Sequence, residues 1–206
     1  KRNITIIKGD SATGKTTLIN MIRQFANLGN SSGVSITCDV PCRTLEGVDW
    51  ELILRNISGN ILFIDEENAF IRTEQFALAV RNSDNYFVIV TRESLYNLPY
   101  SVEEIYGIHS SGKYQSTKRI YQQLYKIYSK TEQFPIIPER LVVEDSNAGY
   151  EFFKDIAEKS GIKCDSAAGK SKLFACLNKI EEETCVVADG AAIGAEMEKL
   201  YGLSLR

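Results

Sequence analysis

The stretch Gly9-Asp10-Ser11-Ala12-Thr13-Gly14-Lys15-Thr16-Thr17 decides the reading of this chain. It fits the pattern G-x-x-x-x-G-K-S/T, with Gly9, Gly14, Lys15 and Thr16 in the required places. Glycines let a backbone wrap closely round phosphate oxygens, where a Cβ would clash. The N–H groups of residues 9–17 then form an anion-binding nest at a helix N-terminus. In such a loop the lysine reaches the β- and γ-phosphates of a nucleotide, and the hydroxyl of Thr16 ligates Mg²⁺. ATP and Mg²⁺ are therefore the expected ligands.

The flanking sequence supplies the context this loop needs. Residues 3–8, Asn-Ile-Thr-Ile-Ile-Lys, are a short β-branched run that reads as a buried strand. After the loop, Leu18, Ile19, Ile22, Phe25 and Ala26 recur at helical spacing. Strand, glycine loop and helix follow one another in the order a phosphate-binding loop requires.

The same alternation continues to about residue 108. Strands are expected at 34–38, 61–64, 86–90 and 105–108, and helices at 49–57 and 73–80. Strands that are apolar on both faces and separated by helices imply a parallel sheet covered on both sides, an α/β fold.

The run Ile61-Leu62-Phe63-Ile64-Asp65-Glu66-Glu67 is the second piece of chemistry. Four apolar residues followed by Asp is the form of a Walker B strand. Asp65 is the expected Mg²⁺ partner, acting through water, and Glu66 the general base that polarises the attacking water. Glu67 reads as a solvated loop residue. Thr91 or Arg92, at the end of the strand over 86–90, would lie near the γ-phosphate if that strand sits between the first and third.

With these residues in hand, residues 3–108 resemble the P-loop ATPases of the additional-strand catalytic-glutamate class, which includes AAA-like motor ATPases. The resemblance implies a P-loop NTPase sheet, Mg²⁺-dependent ATP hydrolysis coupled to a conformational change, and a polar sensor residue at the position of Arg92. A surface salt bridge is the favoured reading of Arg92, with the sensor role as the alternative.

Composition bounds the rest. A chain of 206 residues, 44% apolar, is long enough for one domain or two small ones. There is no run of 18 apolar residues, so no membrane span is expected. The five cysteines lack C-x-x-C spacing and are odd in number, which argues against a zinc site or a disulfide framework. They read as buried reduced thiols of a cytoplasmic protein. The net charge of −3 predicts no polyanion partner by itself.

Charge is nevertheless uneven. Residues 110–138 carry five basic groups and one acidic, whereas 1–109 carry 10 and 13, and 139–206 carry 9 and 13. Within the basic piece, Ile120, Leu124 and Ile127, beside Tyr121, Tyr125 and Tyr128, fall at helical spacing. A basic, tyrosine-rich helix is expected there, decorated by Lys113, Lys118, Arg119, Lys126 and Lys130. Aromatics interleaved with cations can serve nucleic acid over 110–130. The favoured alternative is a linker helix that packs its tyrosines between two units. Phe134-Pro135-Ile136-Ile137-Pro138 reads as an extended linker. The expected organisation is therefore 1–108, a basic segment 109–138, and a small α/β unit 139–206.

In the last unit, strands are expected at 141–143 and 185–188, and helices at 148–160, 171–180 and 192–201. Gly169-Lys170-Ser171 is not a second phosphate loop, because Cys164 stands where the first glycine belongs. A strand ending at Glu144, a helix, a Gly-Lys turn and a strand ending at Asp189-Gly190 together resemble a TOPRIM domain. That resemblance implies acid–base chemistry at Glu144 and Mg²⁺ at Asp189, and includes nucleases that join an ATPase to such a domain. Ala191 replaces the family's second Asp, so a weak metal site at Glu144 and Asp189 and decayed nuclease chemistry are expected; Asp145 or Glu196 are the candidates to compensate.

The leading expectation is an ATPase. The alternatives are a small-molecule kinase, a nucleotide-gated binding module with little turnover, or an ATP-linked TOPRIM nuclease. Arg43, Arg55 and Arg72 are too scattered to form a kinase lid, and the Asp-Glu pair favours water as acceptor.

Overall fold

A computed structural model describes residues 3–9, 13–110, 122–128, 137–191 and 193–204. The chain divides into two compact units, one formed by Lys1–Ser129 with Gly194–Arg206, the other by Lys130–Ile193. Gly194–Arg206, grouped with 139–193 in the sequence reading, thus packs with the first unit.

The first unit is built on a six-stranded sheet. Its strands are β1 (Ile4–Lys8), β2 (Cys42–Thr44), β3 (Ile61–Asp65), β4 (Tyr86–Val90), β5 (Ile105–Ser110) and β6 (Gln122–Lys126). They lie in the order β2-β3-β4-β1-β5-β6. The first five are parallel and β6 runs antiparallel to β5. The helices are α1 (Lys15–Leu28), α2 (Trp50–Arg55) and α3 (Glu74–Asn82). The fold is therefore α/β, a mixed, mostly parallel sheet flanked by helices.

Successive residues of each central strand serve opposite faces, as the pleat requires. Ile6, Leu62, Phe87 and Ile89 join one buried cluster with Trp50, Phe70, Phe76 and Val80. Ile7 and Val90, with Phe63 and Val88, join the other, against Leu18 and Ile19 of α1. The larger core is aromatic: Trp50 stacks on Phe70 at 5.1 Å, and Phe76 meets Trp50 and Phe87 edge-on at 5.5 and 5.9 Å. The Thr73 hydroxyl caps α3 by accepting from Phe76 N.

Several local expectations are corrected. Residues 34–38 form no strand; Val34 and Ile36 are only half covered and Cys38 is exposed. The edge strand starts beyond Pro41, whose carbonyl accepts from Ile61 N, and pairs Cys42 with Ile61. The thiols are not fully buried either: Cys38 is exposed and the other four are half-buried, all free.

The expected helix through Leu124 is, over Gln122–Lys126, the strand β6. Its register sets Leu124 opposite Ile108 and Tyr125 opposite Gly107. The Tyr125 ring lies where a Cβ on Gly107 would be, within 2.5 Å. Pairing satisfies the open edge of β5, a long-range gain that outweighs local helical spacing. Residues 111–121, with Lys113, Lys118, Arg119, Ile120 and Tyr121, lie outside the described residues, as do Lys130 and the linker 134–136.

The second unit carries β7 (Arg140–Val143), α4 (Ala148–Lys159), β8 (Lys163–Ser166), α5 (Leu173–Leu177) and β9 (Thr184–Val187). Its sheet is parallel, in the order β8-β7-β9. At its start Arg140 bridges Asp165 and Glu182, and Lys163 also pairs with Glu182. The helix α5 is shorter than the expected 171–180. The final helix, α6 (Met197–Ser204), begins later than expected and follows a 3₁₀ turn at Gly194–Glu196. Among the described residues no helix is long and apolar enough to cross a membrane.

Candidate phosphate-binding site

The site lies where β1, β3 and β4 end, the edge at which parallel sheets place their ligands. β1 runs into Gly9, and α1 begins at Lys15 after Gly14, whose φ of 90° suits a glycine. A Cβ on Gly9 would meet the Thr13 hydroxyl at 2.9 Å. Asp10, Ser11 and Ala12 of the loop lie outside the described residues.

Lys15 is buried, 8% exposed. Its ammonium donates back across its own loop, to Gly9 O and to Thr13 Oγ1. Thr16 and Thr17 are exposed on the first turn of α1. Helix N–H groups with no intrahelical partner gather there. An open cavity of about 290 Å³ is lined by Thr13, Gly14, Lys15, Thr16, Thr17, Glu66 and Arg92.

The sequence separates Arg92 from Glu66 by 26 residues, and the sheet brings them together because β4 pairs with β3. Arg92 donates to Glu66 from its backbone N–H at 2.8 Å and from Nε at 2.8 Å; Nη2 lies 2.7 Å from Oε1. These contacts hold the Glu66 carboxyl below its ordinary range, against a smaller upward push from burial; the charges of Arg92 and Lys15 act in the same downward sense. Glu66 in turn raises the pKa of Arg92. Arg72 donates to Glu66 O at 3.3 Å and to Glu93 at 3.0 Å, a contact no sequence pattern signalled.

Other expected residues fall differently. Asp65 ends β3 opposite Val90 and is half-buried. Among the described residues it is not part of the cavity wall, though its charge reaches Arg92 and Arg23. Glu67 is exposed, as a solvated loop residue should be. Thr91 is fully buried, and its hydroxyl accepts from Glu93 N at 3.0 Å, so it shapes the turn and leaves the cavity to Arg92. Arg23 forms a two-pronged pair with Glu46, at 2.9 and 2.8 Å, fastening α1 to the chain after β2.

In the second unit, β7 and β9 are neighbours, so Glu144 and Asp189 emerge side by side. They line a small cavity together with Lys170, Ala188 and Ile193. Asp189 accepts from Ala191 N at 2.9 Å. The expected substitutes for the missing carboxylate are Asp145 and Glu196. Asp145 accepts from the N–H groups of Ser146, Asn147 and Gly149, which lowers its pKa and commits it to the start of α4. Glu196 belongs to the first unit, where it is buried near Tyr100. Among the described residues no group of three or more His, Cys, Asp or Glu is placed to hold a metal ion.

Comparison of the chain with protein-family models, with curated proteins and with solved structures returns no match.

Proposed function

We propose that the first unit is a P-loop ATPase of the additional-strand class that binds Mg²⁺–ATP at residues 9–17. The observation that carries this reading is the cavity shared by the loop's Thr13–Thr17 and the Glu66–Arg92 pair. The position of β4 between β1 and β3 supports it, because that extra strand brings Arg92 to the loop. The donor chemistry also fits the ligands: a buried lysine and a helix N-terminus for phosphate, and hydroxyl and carboxylate oxygens for a hard cation.

In this reading Lys15 exchanges Gly9 O and Thr13 Oγ1 for phosphate oxygens. Thr16 would hold Mg²⁺ directly and Asp65 through water, and the ion would neutralise charge on the β- and γ-oxygens. Glu66 serves as the base for water. It can do so only after Arg92 lets go, since both carboxylate oxygens accept from Arg92 in this structure. The freed guanidinium then faces the γ-phosphate. Turnover is therefore slow until nucleotide or a partner draws Arg92 away. The same pair favours one alternative, a nucleotide-gated module with little turnover.

Phosphate release and nucleotide binding, measured for the wild type and Lys15→Ala, test the reading. Removing one member of a buried charge contact costs ~2 kcal/mol or more, roughly thirtyfold in affinity. Unchanged ATP binding in the variant would reject the site. Adding DNA, RNA or candidate phosphate acceptors separates a nucleic-acid-coupled ATPase from a kinase.

For the second unit we favour a TOPRIM-like fold whose nuclease chemistry has decayed. Glu144 and Asp189 share one cavity, but Lys170 stands in the same wall and Ala191 replaces the second aspartate. Weak Mg²⁺ binding and little or no strand cleavage are expected. Metal-dependent nicking of plasmid DNA, lost in Glu144→Ala, would refute the decay.

A further inference from the structure

Lys8 is the last residue of β1, immediately before Gly9 of the phosphate loop. Its side chain is only 12% exposed, so its ammonium needs partners. It donates to Ser94 Oγ at 3.0 Å and to Glu198 Oε2 at 2.6 Å. Ser94 Oγ also donates to Glu198 Oε2, at 3.0 Å, which closes a triangle. Ser94 lies two residues beyond Arg92. One carboxylate oxygen thus ties together the base of the phosphate loop and the chain that carries Arg92. The Lys8 contact, helped by Ser94, holds the Glu198 carboxyl below its ordinary range despite partial burial.

Glu198 reaches this point from α6, after the chain has left the second unit at Ile193. The intervening segment is fastened as well. Gly194 N donates to Tyr100 O at 3.0 Å, and a Cβ on Gly194 would strike the fully buried Tyr100 within 2.5 Å. Ala195 is completely buried in the core. The five residues from Gly194 to Glu198 are therefore pinned to the loop after β4 and to the end of β1.

We propose that Glu198 is a positioning residue of the nucleotide site, holding the phosphate-loop base and the Arg92 segment in register through Lys8 and Ser94. The proposal rests on the ATPase reading above. That reading asks Lys15 to exchange its Gly9 carbonyl for phosphate, so Gly9 must stay anchored while its partner changes. Lys8 supplies the anchor and Glu198 fixes Lys8. A displacement of the residues after Ile193 would be felt at both points, since Glu198 contacts both Lys8 and Ser94.

The test uses the full chain with Glu198→Gln, Lys8→Met and the double variant. Hydrogen exchange without nucleotide is followed in peptides covering 4–9 and 90–95. Each single variant should exchange roughly threefold to fivefold faster there, the scale of one partly exposed ion pair. The double variant should fall short of the sum of the two, because both changes break the shared Lys8–Glu198 contact while each single change leaves one side of the triangle. Salt at about 1 M, where screening acts within ~3 Å, should bring the wild type close to the variants. Unchanged exchange in Glu198→Gln, or losses that add in full in the double variant, overturns the link whether or not the chain binds nucleotide. The Mg²⁺–ATP dissociation constant should rise by the same factor in Glu198→Gln. Faster exchange with unaltered affinity would reduce Glu198 to a structural contact and overturn the proposal. Absence of saturable nucleotide binding in the wild type would instead reject the ATPase reading, while the exchange data would still judge the link.

Discussion

Arg92 occupies both carboxylate oxygens of Glu66, its backbone N–H on one and its guanidinium on the other. In the proposed reaction, the side chain that would activate water is thus held by the cation that would meet the γ-phosphate. That reaction would require their separation, and the three donors that hold Glu66 here, the backbone N–H, Nε and Nη2, belong to one residue.

Arg92→Ala should return the Glu66 pKa upward toward its ordinary value, because the dominant lowering contacts are removed. The acidic limb of the kcat/KM profile for ATP hydrolysis should then move to higher pH. Stability changes in the matching sense. A carboxyl with a lowered folded pKa contributes stability above its ordinary pKa and loses it as pH falls through the folded value. The variant should lack that acid-side loss. An unshifted limb would show that Glu66 is not the titrating base.

Glu66→Gln should bind Mg²⁺–ATP within a few-fold of wild type and hydrolyse it about 10²–10⁴-fold more slowly, the usual contribution of a positioned base. Gln keeps the shape and can still accept from Arg92, but it cannot take a proton. Binding by fluorescence and turnover by phosphate release separate the two effects. Wild-type turnover would move the role elsewhere, with Glu67 the next candidate.

In the second unit, Arg140 and Lys163 push the Glu182 carboxyl down to about 2, from an ordinary 4.5. Its contribution should be intact above pH 4.5 and disappear as pH falls toward 2. Glu182→Gln should weaken the second unit near neutral pH and flatten its acid dependence over that window. Acid titration followed by circular dichroism, on wild type and variant, checks this. Parallel curves would assign the acid transition to other groups.

Gly194→Ala should destabilise the first unit by ~1–3 kcal/mol, the cost of forcing a methyl into a packed core. The added Cβ would meet both the ring and the backbone oxygen of Tyr100, and Tyr100 is fully buried. Denaturant midpoints at constant slope give the loss. A neutral result would mean that the turn at Gly194–Glu196 shifts freely.

Much of the first unit was legible in the sequence because its signals are short-range. The candidate phosphate loop lies within nine residues, and ILFID reads as a strand from its own apolar run. Lys15, Thr16 and Glu66 could be named before any fold existed, since each belongs to a contiguous pattern. Gln122–Lys126 is a strand although apolar residues at positions 120, 124 and 127 satisfy a helical period locally. The open edge of β5 decided otherwise.

What the sequence determined by itself is the local pattern carried by neighbours in the chain: a glycine loop before a helix, and acids after a buried strand. What only the tertiary structure decided is which distant residues meet. The insertion of β4 between β1 and β3 sets Arg92 on Glu66, and the return of the chain after Ile193 sets Glu198 on Lys8, 190 residues away. Local periodicity records how one element buries its own face. It carries no record of which strand edge or which turn that element will find, because pairing and packing are settled by the whole chain's need to cover apolar surface and satisfy its hydrogen bonds at once.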